Sequence, residues 1–217
     1  EKIKYRPFLV KEEKILMLAM ESKATADITQ AVKDIVSECT FNKVDISNMP
    51  MFDVEYIFLN IRAKSVGEVS KLKLLCPDDK KTYADVEVDL SEVEVQVDDE
   101  HTNKIELTDS MGMIMTYPTI NSVDPTADSK SMKTDKLFEI IGNTIYQIID
   151  GETVHQAKDY TQKELRDFID SLDSGVFVRL QKFFSTMPRL AHEITVTNPK
   201  TNVESKVTLQ GLADFFA

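Results

Sequence analysis

Tryptophan is absent from the sequence, and among 217 residues cysteine occurs twice, histidine three times and glycine six times. Each scarcity removes a class of chemistry. Two thiols, Cys39 and Cys76, cannot build a dense disulfide framework, and they suit a reducing cytoplasm. The glycines stand apart at positions 67, 112, 142, 151, 175 and 211, so no glycine-rich loop cradles a phosphate. His101, His155 and His192 fall in different segments, which leaves no nucleophile with a base beside it. No G-x-S-x-G elbow, H-E-x-x-H pair or P-loop is present. No apolar run approaches the roughly 20 residues of a bilayer span, and no signal-peptide pattern is visible. A start at Glu1 rather than Met fits a trimmed beginning. The reading that follows is a protein with no enzymatic chemistry, no cofactor and no membrane partner.

The charge balance is one-sided. Asp and Glu number 37 against 26 Lys and Arg, for a net charge of -11. An acidic surface repels phosphate backbones and disfavours a nucleic-acid partner. Hydrophobic residues make up 42% and charged residues 29%, enough to bury a real core as one large domain or as a core with a smaller subdomain.

Hydrophobic periodicity divides the chain. "LVKEEKILMLAMES" (Leu9–Ser22) is rich in helix formers and apolar nearly all round from Ile15 to Met20, which predicts a buried helix. Ile28, Ala31, Val32, Ile35, Val36 and Cys39 follow steps of three and four, one face of a second helix. A third runs from Asp53, its N-cap, to about Val66, with Val54, Ile57, Phe58 and Ile61 as its stripe and Gly67 as its stop.

The period then becomes two. Val69–Cys76 is a strand, Pro77-Asp78-Asp79 a turn, and Val86, Val88 and Leu90 alternate with acidic residues. In the next stretch Val93, Val95 and Val97 carry the opposite parity, so a bulge, bend or new strand lies near Ser91. "NKIEL" (Asn103–Leu107) and "GMIMTYPTI" (Gly112–Ile120) continue the β-rich part.

Residues 121–133 are polar and turn-rich and read as a loop or hinge. A helix capped by Thr134 carries Leu137, Phe138, Ile141, Ile145 and Ile148 to a stop at Asp150-Gly151. Thr161–Glu164 is a capping box ahead of another helix, and the helix after it ends at Pro188. Two alternating strands around Asn198-Pro199 and a short terminal helix close the chain.

The class is therefore α+β, a helical body with an antiparallel β-hairpin subdomain. The parts are an N-terminal helical part (1–67), a β-rich subdomain (68–120), the loop (121–133), a second helical part (134–189), and a hairpin with a terminal helix (190–217) that packs with 68–120.

Cys76-Pro77 begins as a zinc knuckle does, but no second thiol follows. Three readings stand: a plain hairpin, a metal-free zinc-ribbon-like pair with the alike hairpin at 192–209, or a site of Cys76, Asp78, Asp79 and His192. A small metal- or nucleic-acid-binding module built on the two hairpins is accordingly the alternative function. Asp98-Asp99-Glu100 reads as a solvated acidic turn, since it lacks the spacing of a calcium loop. The methionines cluster at 17, 20, 49 and 51 and at 111, 113 and 115, as core or as a compliant binding surface. Phe215 and Phe216 in the terminal "LADFF" either dock into a partner groove or fold back onto the body.

Four segments carry a resemblance: "YRPFLVKEEKILMLAMES", "FDVEYIFLNIRAKSVGE", "NKIELTDSMGMIMTYPT" and "LQGLADFF". Together they resemble the baseplate hub subunit and hub assembly protein family of T-even-like contractile-tailed bacteriophages. The resemblance implies a late virion-assembly protein. It implies work in the host cytoplasm or in the tail baseplate, through contacts with other hub and tail proteins or with further copies of itself. By the same analogy Arg6, Pro7, Phe8, Lys11 and Glu12 are partner-binding candidates. Their other reading is an N-terminal lid that positions the first helix.

Overall fold

A computed structural model describes residues 2–22, 24–122 and 134–216. Their contacts divide them into two compact units, one from residues 2–96 and 189–216, the other from 97–122 and 134–188. The fold is mixed α+β with antiparallel sheets. Most of the loop expected at 121–133 lies outside the described residues; Asn121 and Ser122 form a turn.

Unit one opens with α1 (Val10–Ser22), α2 (Thr25–Cys39) and α3 (Met51–Val66). On α2 the apolar face behaves as its spacing demands: Ala31, Val32, Ile35, Val36 and Cys39 are buried. α3 starts three residues earlier than an Asp53 cap would place it, after Pro50, so Asp53 sits in the first turn instead of capping it. Its C-cap Gly67 has φ 117, a conformation that favours glycine and lets the chain turn into the sheet. Residues Val54, Phe58, Leu59 and Ile61 of this helix have at most 1% exposure and centre the core.

Two hairpins complete the unit. β1 (Val69–Leu75) pairs with β2 (Tyr83–Asp89), and β8 (Arg189–Thr197) pairs with β9 (Glu204–Gln210). The parity break near Ser91 is a short 3-10 turn, Leu90–Glu92, capped by Asp89, which accepts from Ser91 N–H at 2.9 Å. The chain then leaves the first hairpin, and β3 (Glu94–Gln96) joins β8 in a different sheet. The unit closes with α7 (Gly211–Phe216).

Unit two is a four-stranded antiparallel sheet of β4 (Lys104–Glu106), β5 (Met111–Met115), β6 (Ile145–Asp150) and β7 (Thr153–Gln156). Its helices are α4 (Thr134–Thr144), α5 (Gln162–Asp170) and α6 (Ser174–Thr186). Its core holds Ile105, Met113, Met115, Ile141, Leu165, Ile169, Leu180 and Phe183. α5 starts where the sequence says. Thr161 and Glu164 form the reciprocal capping box, and Asp173 caps α6 by accepting from Val176 N–H at 2.9 Å.

One helix is shorter than expected. The series Ile141, Ile145, Ile148 suggests continuation to Asp150, yet α4 ends at Thr144, whose buried hydroxyl donates back to the carbonyls of Ile140 and Ile141 at 3.0 and 2.8 Å. From Ile145 the β-branched run pairs with β5 on one side and β7 on the other.

A buried carboxyl joins α3 to α7. Glu55 is 9% exposed, and its carboxylate accepts from Leu212 N–H. Desolvation raises its pKa from an ordinary 4.5 to about 7, against that hydrogen bond. Because the folded value lies above the unfolded one for an acid, the charge is costly: stability falls as pH rises from 4.5 to about 7. Glu55→Gln is therefore expected to stabilise unit one above pH 7 by up to about 3 kcal/mol. It should change little below pH 4.5, where wild type is neutral. Chemical unfolding at pH 4.5 and pH 8 reads the difference, and a gain independent of pH would refute the assignment.

Candidate functional site

The first helix does not occupy the core. Leu9, Val10, Ile15, Met17, Leu18 and Met20 are 40–81% exposed, whereas Glu12 and Ala19 are buried. Expected burial of Ile15–Met20 is thus overturned. An all-round apolar helix reads as buried when neighbours are assumed on every side. Here α1 packs against α2 through a narrow face, and the rest of its apolar surface meets solvent. Scattered apolar side chains are ordinary on a surface, but here six exposed ones fall within twelve residues, a local density of the kind found at interaction sites.

An ion-pair network ties down the start of this helix. Glu12 stands at the third position of α1, and its Oε2 accepts from Leu9 N–H at 2.6 Å, half of a capping box. Its Oε1 accepts from the Arg6 guanidinium at 2.8 Å and lies 3.3 Å from Lys11 Nζ. Glu38 of α2 lies 3.9 Å from Arg6 and 3.6 Å from Lys11. Arg6 N–H also donates to the Cys39 carbonyl at 2.9 Å, and Phe8 N–H to Ser65 Oγ at 2.9 Å. Burial pushes the Glu12 pKa upward, but the bonds from Arg6, Leu9 and Lys11 outweigh it and hold the carboxyl at about 2.

The structure thus brings Arg6, Lys11 and Glu12 together. Phe8 is half-buried and stacks on Phe58, with centroids 6.5 Å apart. Pro7 and Lys11 are exposed beside Leu9 and Val10. Arg6 and Glu12 tie the N-terminal arm to the start of α1, while Pro7 and Lys11 stay exposed. Phe215 is separate from them. It is 0% exposed, and its carbonyl accepts from Ser70 Oγ at 3.0 Å, so of the two readings for this residue the fold-back is the one realised. The Phe216 side chain lies outside the described residues.

Sequence reasoning offered Met17 and Met20 as core or as a compliant surface, and missed Leu9, Val10, Ile15 and Leu18 as exposed residues. A usable signal was present, because Lys11, Glu13, Lys14 and Glu21 are spread around the helix and leave no wholly apolar circumference.

The other candidate sites do not assemble. Among the described residues no group of three or more His, Cys, Asp or Glu is placed to hold a metal ion. The imagined set of Cys76, Asp78, Asp79 and His192 fails because His192 sits within β8, opposite Leu209, while Asp78 turns to Asn198. In the acidic turn, Asp98 accepts from Glu100 N–H at 2.9 Å and Glu100 pairs with Lys182 at 2.8 Å.

A pocket of about 300 Å³ in unit two is lined by Met111, Ile148, His155, Tyr160, Glu164 and Phe168, among others. Its His155 Nδ1 lies 2.7 Å from the Tyr160 hydroxyl, and Glu164 is engaged in the capping box. None of the residues lining it is a Ser, Thr or Cys nucleophile. No described helix is long and apolar enough to cross a membrane.

Compared with known families, residues 1–217 match the family model described as T4 bacteriophage base plate protein. No curated protein and no solved structure matches.

Proposed function

From a chain that belongs to the T4 bacteriophage base plate protein family, we propose a non-enzymatic component of the baseplate hub, either a hub subunit or a hub assembly chaperone. It works by protein–protein contact, and the contact runs through α1. The observation that carries this reading is the run of exposed apolar side chains on a helix whose start is tied down by ion pairs to the buried Glu12 carboxylate. Exposed Leu, Ile, Val and Met are costly in water at roughly 25 cal/mol per Å² and are repaid on docking. The Arg6–Glu12 network supplies rigidity, so little conformational entropy is lost when a partner binds. Pro7 and Lys11 make the rim of the contact.

Such a protein acts in the host cytoplasm while the hub is built and, if it is a subunit, persists in the virion tail. Affinity capture from cells expressing the tail proteins tests the reading, with mass spectrometry of finished tails beside it. Capture of another hub protein is expected. Presence in finished tails identifies a subunit and absence a chaperone. A protein that captures no hub component, under conditions where tails assemble, is not a hub protein of either kind.

A further inference from the structure

The cavity of about 300 Å³ in unit two is bounded by the sheet on one side and by α5 on the other. Its walls are held in place by backbone pairing. Asp150, at the end of β6, is paired with Met111 of β5 and with Thr153 of β7, and Gly151 N–H donates to the Ser110 carbonyl at 2.9 Å. The first turn of α5 is fixed by the Thr161–Glu164 capping box. Tyr160 N–H donates to the Ala157 carbonyl at 3.1 Å, and its hydroxyl lies 2.7 Å from His155 Nδ1. A cavity built this way is already formed before a ligand arrives, so little ordering is left for binding to offset.

The lining combines two kinds of surface. Met111, Ile148, Leu165 and Phe168 are apolar, while Asp150 and Glu164 bring two carboxyl groups. Among the described residues no lysine or arginine lines the cavity. Nor, among them, does the Asp150 side chain have a partner. Glu164 is engaged through one oxygen only: its Oε2 accepts from the Thr161 N–H and hydroxyl at 2.7 and 2.8 Å. Those bonds from Thr161 hold the Glu164 carboxyl below its ordinary pKa, so it is charged at neutral pH. An apolar wall beside uncompensated negative charge matches a side chain with a long alkyl stem and a cationic head. An anion is repelled there, and a wholly apolar group would bury the carboxylates without a partner. Tyr160 and Phe168 add two rings, which attract a cation placed over them. Two carboxylates and two rings suit a planar guanidinium better than an ammonium, because it donates in several directions and stacks. The net charge of -11 also draws a basic partner toward the chain.

We propose that this cavity is a docking slot for an arginine side chain of a partner protein, its stem against Met111, Ile148 and Phe168 and its guanidinium paired with Asp150 and Glu164. The slot belongs to unit two and does not depend on the contact through α1. An exposed ion pair alone is weak, so recognition requires stem and head together.

Titration of the whole chain, with isotope-labelled methyl groups read by NMR, tests this. Nα-acetyl-arginine amide is the probe. The methyl signals of Met111 and Ile148 are expected to shift saturably at millimolar probe. Nα-acetyl-citrulline amide, which has the same shape without the charge, and Nα-acetyl-norleucine amide, which has only the stem, should each bind at least about fivefold more weakly. Asp150→Asn/Glu164→Gln keeps the capping box, since glutamine also serves at that position. This variant should bind the arginine probe no better than the citrulline one. The comparison of three probes on the wild-type chain stands even where the variant fails to fold. No saturable shift with the arginine probe, equal binding of the citrulline or norleucine probe, or unchanged affinity in the folded double variant would overturn the proposal.

Discussion

Glu12→Gln is expected to destabilise unit one by about 2–3 kcal/mol at neutral pH, the largest effect of any single polar substitution in the N-terminal arm. Glu12 is 1% exposed and its carboxylate bridges three donors, so the neutral amide loses two charge-assisted bonds and leaves Arg6 only the longer 3.9 Å pairing with Glu38. The folded pKa of about 2 lies below the ordinary 4.5. The contribution is therefore complete above pH 4.5 and disappears as pH falls toward 2. Urea unfolding of wild type and variant should differ widely at pH 7 and converge near pH 2. A gap that persists unchanged at low pH would show that Glu12 acts by shape and not by charge.

Glu12 and Glu55 pull stability in opposite directions as pH changes, because one carboxyl is paired and the other is desolvated. Taken as a pair, their contributions peak near the ordinary carboxylate pKa, on the acid side of neutrality.

Phe215→Ala should cost about 3–5 kcal/mol, since a fully buried ring is deleted from a packed site. Loss of α7 packing also frees the carbonyl bonded by Ser70. Val10→Ala at 81% exposure is the matched control and should stay within about 0.5 kcal/mol. The result separates two roles. A core residue lowers stability when truncated; a docking residue lowers partner capture and leaves the melt unchanged. A melt unaffected by Phe215→Ala would contradict burial.

Local signals were legible in the sequence. The face of α2, the capping box at Thr161–Glu164 and the parity break at Ser91 each follow from a few adjacent residues, and the structure agrees at all three. What was not legible depends on distant neighbours. The apolar stretch of α1 reads as core until the one helix face that receives a partner is known. Ile145 and Ile148 fit a helical period as well as a strand, and the choice is made by β5 and β7 on either side. The Asp78–Asn198 bond spans 120 positions, so neither turn alone shows that its side chains answer each other. Of the proposed contact, the arm residues Arg6, Lys11 and Glu12 and the methionines Met17 and Met20 could be named in advance, whereas Leu9, Val10, Ile15 and Leu18 could not.

The proposed contact runs through α1, and one comparison decides it. Met17→Glu/Leu18→Glu changes two side chains that are 58% and 54% exposed and touches neither core nor ion pairs. The variant should melt within a degree or two of wild type, yet capture of hub partners from tail-expressing cells should fall at least tenfold, as expected when roughly 1.4 kcal/mol or more of binding free energy is lost. Undiminished capture by a folded variant would place the contact elsewhere on the molecule and contradict the account.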